Sequence, residues 1–215
     1  MAVEVKICGL STAETVQAAV VAGADLIGLV FFPKSPRNVT LEQAAQLAAL
    51  ARGRAKIVAL VVDAEDGLLA GIAGHVQPDF IQAHGSETPE RVAEIERLTG
   101  KPVIKAIRVK DAGDIAAAAA FSTVASLILY DSKAPETLGS ALPGGNGHAF
   151  DWGLLEGETR PAFMLAGGLT PENVAEAIRV TGARMVDVSS GVESAPGVKD
   201  AALIRKFIEA AKRPR

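Results

Sequence analysis

Short runs of apolar residues, rich in Val, Ile and Leu, recur at regular intervals along the chain. Eight of them stand at residues 3–7, 26–31, 56–62, 80–83, 103–109, 126–130, 162–166 and 185–188. Their apolar residues are nearly continuous rather than strictly alternating, which is typical of strands covered on both faces, as in a parallel sheet. Stretches with helical character lie between them, so the pattern predicts alternating strands and helices.

The predicted helices begin at capping sequences. Residues 11–14 and 40–43 each match the capping box, in which a Ser or Thr and a Glu or Gln three positions later satisfy free backbone donors. Thr88-Pro89 and Thr170-Pro171 each place a cap residue directly before a proline in the first helical turn. We expect Asp111 to cap an alanine-rich helix, and the last helix to span about residues 199–212.

The number of units bears on the architecture. Eight strand–helix units in 215 residues are short for a (β/α)8 barrel, which usually has about 250 residues, but are feasible with short loops. An open, doubly wound sheet fits the same alternation, so the pattern alone leaves both architectures open. No linker divides the chain, and we predict a single domain over residues 1–215. Residues 132–149, which include the run GGNG at 144–147, are predicted to be a loop that covers the substrate.

Composition narrows the classes of function. The chain has 22 Lys and Arg against 25 Asp and Glu, so it lacks the basic surface expected of a nucleic-acid-binding protein. Its single cysteine, Cys8, cannot form an internal disulfide. No apolar run reaches the roughly 18–20 residues of a membrane span. The N-terminal residues do not resemble a signal peptide, and we therefore expect a soluble, cytoplasmic protein.

Polar groups gather where the predicted strands end. In parallel α/β proteins the chemistry lies beyond the carboxyl ends of the strands. Those ends carry Cys8-Gly9, residues 33–37, Asp63, His84-Gly85, Arg108, Asp131, Gly167-Gly168 and Ser189-Ser190-Gly191. A thiol, carboxylates, an imidazole and two guanidinium groups therefore converge on one face if the sheet closes into a barrel.

Two glycine-containing segments follow the last two strands. Gly167-Gly168 precedes the helix predicted at Thr170, and Ser190-Gly191 follows the eighth strand. Backbone N–H groups exposed beside a helix N-terminus suit a phosphate, and barrels recurrently bind phosphate at this position. Either pair alone can equally make only a tight turn. Two pairs at these strand ends favour a phosphate site.

Cys8 and Asp131 are the candidates for proton transfer. Free cysteines are most often inert packing residues, but Cys8 ends an apolar strand at the expected mouth of the barrel. Lys6, two residues earlier, points to the same strand face and would favour a thiolate. Asp131 ends the sixth strand, where capping a turn is the plain alternative. Across a barrel mouth, a thiol and a carboxyl suit a base and an acid acting on opposite sides of one substrate.

Arg37 and His84 are candidate substrate contacts. Arg37 is interpreted as a clamp for an anion, with an exposed loop arginine as the alternative. His84 is equally well explained as a strand-end histidine whose hydrogen bonds are satisfied. The three histidines and one cysteine show no metal-ligand spacing, so no metal is expected. The run GGNG is not a P-loop, because no Gly-Lys-Ser/Thr follows it.

Taken together and in order, these segments resemble the phosphoribosylanthranilate isomerases. The resemblance rests on the runs KICG (6–9), FFPKSPR (31–37), QAHG (82–85), YDS (130–132), GGNG (144–147) with FDW (150–152), LAGGL (165–169), and VDVSSGVE (186–193) followed by PG (196–197). It covers essentially the whole chain. Each run is weak alone, whereas the ordered set is highly specific.

The resemblance implies a single-domain (β/α)8 barrel that converts N-(5-phosphoribosyl)anthranilate to 1-(2-carboxyphenylamino)-1-deoxyribulose 5-phosphate, an Amadori rearrangement in tryptophan biosynthesis. It implies that Cys8 is the general base and Asp131 the general acid. Arg37 corresponds to a contact with a substrate anion, and His84 and Asp187 to positions near the substrate. The phosphate site would be formed by Gly167, Gly168, Ser190 and Gly191.

The reaction involves no redox change or group transfer, so no cofactor is expected. The expected partner is a phosphorylated small molecule, bound by a monomer or a homodimer.

Two other enzymes with phosphosugar-binding barrels are competing interpretations. An indole-glycerol-phosphate synthase would use Lys and Glu, and a ribulose-phosphate epimerase would hold a metal. Neither fits Cys8 with Asp131. A dual-substrate isomerase would more naturally carry two aspartates. A non-catalytic phosphosugar-binding barrel is the alternative from another class.

Overall fold

A closed barrel of eight parallel strands forms the centre of the molecule. The computed structural model describes residues 3–132, 150–155 and 162–213. Its barrel strands are β1 Glu4–Cys8, β2 Leu26–Phe31, β3 Lys56–Val61, β4 Phe80–Ala83, β5 Val103–Val109, β6 Leu127–Ser132, β7 Phe163–Leu165 and β8 Met185–Val188. They pair in chain order, and β1 also pairs with β8, so the structure is a (β/α)8 barrel and not an open sheet.

Helices surround this barrel. In the described ranges they are α1 Ala13–Ala22, α2 Leu41–Ala51, α3 Asp66–Gly71, α4 Pro89–Thr99, α5 Ala112–Ala117, α6 Val174–Thr181 and α7 Ala201–Lys212. The described residues between β6 and β7 contain a short 3-10 helix, Trp152–Leu155. None of the helices in these ranges has the length and apolarity that a membrane crossing requires.

Two apolar layers hold the strands and helices together. One fills the barrel interior and includes Leu26, Val58, Ile104, Leu129 and Met164. The other, which is larger, lies between the strands and the surrounding helices. All six residues of β2 are buried, as expected for a strand that contributes to both layers.

The capping predictions are confirmed at three helices and corrected at two. Thr40 forms a complete capping box with Gln43, Thr88 caps α4 ahead of Pro89, and Asp111 caps α5. At α1 the cap is Thr12 and not Ser11, because the helix begins one residue later. The helix expected from Thr170 begins at Val174 instead, after a turn in which Asn173 Oδ1 accepts the Thr170 N–H at 2.7 Å.

Two strands extend beyond their predicted ends. β1 includes Cys8, and β6 includes Asp131 and Ser132, because parallel pairing continues past the last apolar residue. The two candidate proton-transfer groups therefore stand on strands rather than on loops. The loop predicted at residues 132–149, with its GGNG run, lies outside the described residues apart from Ser132.

A short hairpin follows β8 and was not predicted. After a 3-10 helix at Ser190–Val192, strands β9 (Glu193–Ala195) and β10 (Val198–Lys199) pair antiparallel before α7 begins. This hairpin places Glu193 and Lys199 beside the mouth of the barrel.

Candidate active site

A cavity opens at the carboxyl ends of the strands. Nine of the ten predicted site residues line it: Cys8, Arg37, His84, Asp131, Gly167, Gly168, Asp187, Ser190 and Gly191. The tenth, Lys6, is not among the lining residues; it is fully buried and contacts the cavity through Asp187.

Cys8 ends β1 and is 3 % exposed. Gly28 lies beside it on β2, where an added Cβ would come within 2.8 Å of the Cys8 sulfur and 3.1 Å of Lys6 Nζ. Burial raises the pKa of the Cys8 thiol above its ordinary value of 9.0; Lys6 opposes this, and Asp187 adds to it. In the free site the neutral thiol is therefore favoured, contrary to the thiolate expected from Lys6 alone.

Lys6 and Asp187 form a buried ion pair beneath Cys8. Their side chains meet at 3.0 Å between Nζ and Oδ1. Burial lowers the pKa of Lys6, but the charge and hydrogen bond of Asp187, with a smaller contribution from Cys8, outweigh that effect and raise it overall. Lys6 consequently keeps its proton and presents a fixed positive charge below the thiol.

Asp131 is tied to β6 and to His84. Its Oδ1 accepts the Ser132 N–H at 2.8 Å, and its Oδ2 lies 3.1 Å from His84 Nε2. The other ring nitrogen of His84 lies 2.8 Å from Gln82 Nε2. His84 is therefore hydrogen-bonded on both nitrogens, as one alternative predicted, and at the same time lines the cavity beside Asp131.

The glycine segments after β7 and β8 pack against each other. Gly167 has φ +86°, and a side chain there would come within 2.7 Å of Ser132 Cβ. A side chain at Gly191 would overlap the carbonyl oxygen of Leu169. Glycine at these positions brings the two turns together at one end of the cavity, and connects them to the end of β6.

The surroundings of Arg37 differ from the open clamp that the sequence suggested. Its Nε and Nη2 bind the two carboxylate oxygens of Glu193 at 2.7 and 2.8 Å, and Lys199 Nζ binds the same carboxylate at 2.6 Å. Burial acts to raise the pKa of Glu193, but hydrogen bonds and charge from Arg37 and Lys199 lower it overall. Arg37 lines the cavity as a cation held in place by Glu193, and not as an open clamp.

Sequence reasoning missed the apolar wall of the cavity. The side next to Cys8 is lined by Val30 on β2 and Leu60 on β3, and by Phe32 and Val62 directly after these strands. The signal was present, since alternate residues of a barrel strand face inward.

Two strand-end residues do not join the others. Asp63 and Arg108 are absent from the described cavity lining. Asp63 Oδ1 accepts the Ser86 N–H at 2.7 Å and so holds the turn after β4. Arg108 stands opposite Asp131 in the β5–β6 register, but it is exposed. Arg108 thus stands at the same end of the barrel as the other strand-end groups but does not line the cavity.

Comparison with known proteins agrees with this geometry. Residues 5–210 match the family described as N-(5'phosphoribosyl)anthranilate (PRA) isomerase. A protein named N-(5'-phosphoribosyl)anthranilate isomerase from Rhodopseudomonas palustris (strain BisA53) is 55 % identical over 213 residues, covering 99 % of this chain and 97 % of the relative. One with the same name from Rhizobium meliloti (strain 1021) is 52 % identical and is covered over 99 % of both chains.

Solved structures of such proteins have the same architecture. Phosphoribosyl anthranilate isomerase from Thermotoga maritima matches with a TM-score of 0.86 at 37 % identity, over 98 % of each chain. A phosphoribosyl anthranilate isomerase crystallised with reduced 1-(o-carboxyphenylamino)-1-deoxyribulose 5-phosphate matches with a TM-score of 0.83 at 34 % identity, again over 98 % of each chain. The chain thus belongs to the N-(5'-phosphoribosyl)anthranilate isomerase family.

Proposed function

We propose that the chain catalyses the Amadori rearrangement of N-(5-phosphoribosyl)anthranilate to 1-(2-carboxyphenylamino)-1-deoxyribulose 5-phosphate, with Cys8 as base and Asp131 as acid. The observation that carries the proposal is the placement of this thiol and this carboxyl on one cavity, on strands β1 and β6. Glycine turns suited to a phosphate close the same cavity.

The cavity has two unlike ends, which match the two ends of the substrate. The turns at Gly167-Gly168 and Ser190-Gly191 offer backbone to the phosphate, and the apolar wall offers Val30, Phe32 and Leu60 to the anthranilate ring. With both ends fixed, the ribose lies between Cys8 and Asp131. Such positioning alone supplies a large part of a catalysed rate.

Ring opening is assigned to Asp131. The protonated carboxyl gives its proton to the furanose oxygen, the bond from C1′ to that oxygen breaks, and the nitrogen lone pair forms a C1′=N bond. The product of this step is a cationic Schiff base. His84, hydrogen-bonded to Asp131 Oδ2, orients the acid and stabilises the carboxylate that remains.

Proton removal from C2′ is assigned to Cys8. The cationic nitrogen acidifies the C2′ hydrogen, the thiolate takes it, and the bond electrons form an enol-amine. The Cys8 thiol then gives its proton to C1′ while the C2′ hydroxyl returns one to the Asp131 carboxylate, which gives the ketone. Acid and base are both restored, and neither a redox partner nor a group carrier enters.

The rise in the Cys8 pKa fits the order of these steps. In the free site burial favours the thiol. Once the Schiff base forms, its positive charge joins that of Lys6 near the sulfur, and opposite charge favours the thiolate. The thiol proton then leaves to solvent and is regained when the product departs, so the base is activated when its substrate is ready to lose a proton.

The partner implied by this chemistry is a phosphorylated small molecule. All of the groups assigned above come from a single chain, so the site is compatible with a monomer and with a homodimer. A solved relative from Thermotoga maritima is described as dimeric.

The proposal is tested by forming phosphoribosylanthranilate in situ and following the decay of its anthranilate-type fluorescence on addition of the protein. We expect rapid decay with the wild type and losses of about 10²–10⁴-fold for Cys8→Ser and for Asp131→Asn, the usual contribution of a positioned base or acid. Asp63→Asn, the same carboxyl-to-amide change outside the cavity, serves as the matched control and should stay active. Near-normal turnover by Cys8→Ser or Asp131→Asn would remove that residue from its role.

A further inference from the structure

Gln82 is the last member of a buried hydrogen-bonded series that reaches Asp131. It is fully buried on β4, two residues before His84. Its Nε2 lies 2.8 Å from His84 Nδ1, and His84 Nε2 lies 3.1 Å from Asp131 Oδ2. In the described part of the chain, Gln82 is the group that meets His84 Nδ1.

The other amide atom of Gln82 has no partner. Its Oε1 is buried without a hydrogen bond within the described residues. A half-turn about the Cγ–Cδ bond would pair Oε1 with His84 and leave Nε2 unpaired instead. Each orientation leaves one amide atom unsatisfied, so the count of hydrogen bonds does not fix which is adopted.

Each orientation matches a different proton content of the pair formed by His84 and Asp131. With Nε2 toward the ring, the amide donates to Nδ1, so the imidazole carries its proton on Nε2 and donates it to a carboxylate. With Oε1 toward the ring, the amide accepts from Nδ1–H. His84 Nε2 then shares a proton with Asp131, and the pair holds one proton more.

We propose that Gln82 is a positioning residue for ring opening: with Oε1 toward Nδ1 it holds the pair of His84 and Asp131 in the proton-loaded form, and with Nε2 toward Nδ1 it holds the unloaded form. The inference rests on the proposed role of Asp131 as the acid. Amide orientation and proton content are linked, so each favours the other. The orientation seen in the structure is the one that matches the unloaded pair.

Other charged or titratable groups around His84 and Asp131 also influence the proton content of this pair. They are Arg108 on β5, Cys8 and Lys6 on β1, Asp187 on β8, and the ion pair of Lys105 on β5 with Glu87 after β4. Lys105 also donates to the carbonyl of Gly85 at 2.9 Å, next to His84. The variants must leave all of these groups unchanged.

The first test compares pH profiles of kcat. Gln82→Met keeps similar volume but can neither accept from Nδ1–H nor donate to Nδ1, so both forms of the pair lose their hydrogen bond to residue 82. The loaded form loses more, because its buried Nδ1–H shares the charge of the extra proton and hydrogen bonds of charged groups are the stronger ones. The alkaline limb should therefore move about one pH unit toward acid, a loss of about tenfold on that limb. KM should change little. Gln82→Glu adds a negatively charged acceptor and should move the limb the other way. Ile104→Val, a buried change beside Gln82 in the β4–β5 register, is the control and should leave the limb in place. A uniform loss at every pH in Gln82→Met would overturn the proposal.

The second test does not depend on catalysis. The protein has three histidines, and ¹⁵N-histidine spectra of the wild type and of His84→Gln identify the His84 signals. We expect the Nδ1 and Nε2 shifts, which report the tautomer, to change in Gln82→Met and to show a protonated Nδ1 in Gln82→Glu. Unchanged shifts in both variants would overturn the inference even if Asp131 is the acid. If Asp131→Asn stays active while the shifts respond, the acid assignment fails and the control of the tautomer by Gln82 stands.

Discussion

At the scale of single residues, Cys8 shows how a reactive group can be kept neutral until it is needed. Burial raises the pKa of its thiol, and the charge of Lys6 offsets only part of that rise. The spacing of Lys6 and Cys8 could be read from the sequence. The third charge, Asp187, lies 181 residues from Lys6 and pairs with it only because β1 closes the barrel against β8.

The thiol can be titrated directly because Cys8 is the only cysteine of the chain. With its pKa above 9.0, the rate of alkylation by iodoacetamide should rise with pH and reach half its limit above that value. Asp187→Asn removes a negative charge and should move the midpoint down. Cys8→Ser should not react. A wild-type midpoint below 9.0 would show that the charge of Lys6 outweighs burial.

Arg37 gives a prediction on binding. Arg37→Ala should raise KM by roughly 10–100-fold with a smaller change in kcat, since a hydrogen bond to a charged group contributes about 1.5–3 kcal/mol. Steady-state kinetics and the affinity for a reduced product analogue measure this. Lys34→Ala, an exposed cation of the same loop, is the control. Unchanged affinity in Arg37→Ala would reject the contact.

At the scale of elements, the β9–β10 hairpin shapes the site without belonging to the barrel. Glu193 on β9 binds Arg37 and Lys199, so one carboxylate joins the loop after β2 to both strands of the hairpin. The sequence motif contained Glu193, but its partner Arg37 is 156 residues away, and local pattern carries no information on such a pairing.

Removing this carboxylate should destabilise the fold. Glu193→Ala leaves two buried cations without a counter-charge and should lower the free energy of unfolding by about 3–5 kcal/mol, measured in urea at neutral pH. Glu193→Gln keeps hydrogen bonding and should cost less. If the free energy of unfolding of both variants equals that of the wild type within error, the ion pairs of Glu193 with Arg37 and Lys199 do not stabilise the fold.

The same carboxylate has a defined pH dependence. Because its pKa in the folded protein lies below the ordinary 4.5, its stabilisation is present above that pH and is lost as pH falls through the folded value. The difference in unfolding free energy between wild type and Glu193→Gln should therefore shrink in acid. A difference that grows as pH falls would show that the Glu193 carboxylate is not stabilised in the folded protein.

At the scale of the whole molecule, closure of the barrel pairs the first strand, β1, with the last barrel strand, β8, so each is held in place by the other. Strand and helix order followed from apolar runs and caps, but closure did not, because an open sheet has the same alternation. The ends of β1 and β6 were predicted one and two residues short, since pairing continues past the apolar pattern at Cys8 and Asp131. The strand-end rule predicted most of the residues that line the cavity, whereas Asp63 and Arg108 stand at strand ends without lining it, a difference that spacing does not contain.

Closure predicts that the chain, proposed as one domain, unfolds as one unit. The single tryptophan, Trp152, packs near α6, while circular dichroism reports on helices around the entire ring. Urea transitions followed by tryptophan fluorescence and by circular dichroism should coincide. Separate midpoints would show that part of the barrel unfolds independently.

The division of labour between Cys8 and Asp131 is tested most directly by the kinetic isotope effect with substrate deuterated at C2′ of the ribose. If Cys8 breaks that bond, Cys8→Ser slows this step until it limits turnover, and kcat shows a clear primary isotope effect. If Asp131 opens the ring, Asp131→Asn makes ring opening limiting, and the effect disappears. An isotope effect in Asp131→Asn and none in Cys8→Ser would contradict the account.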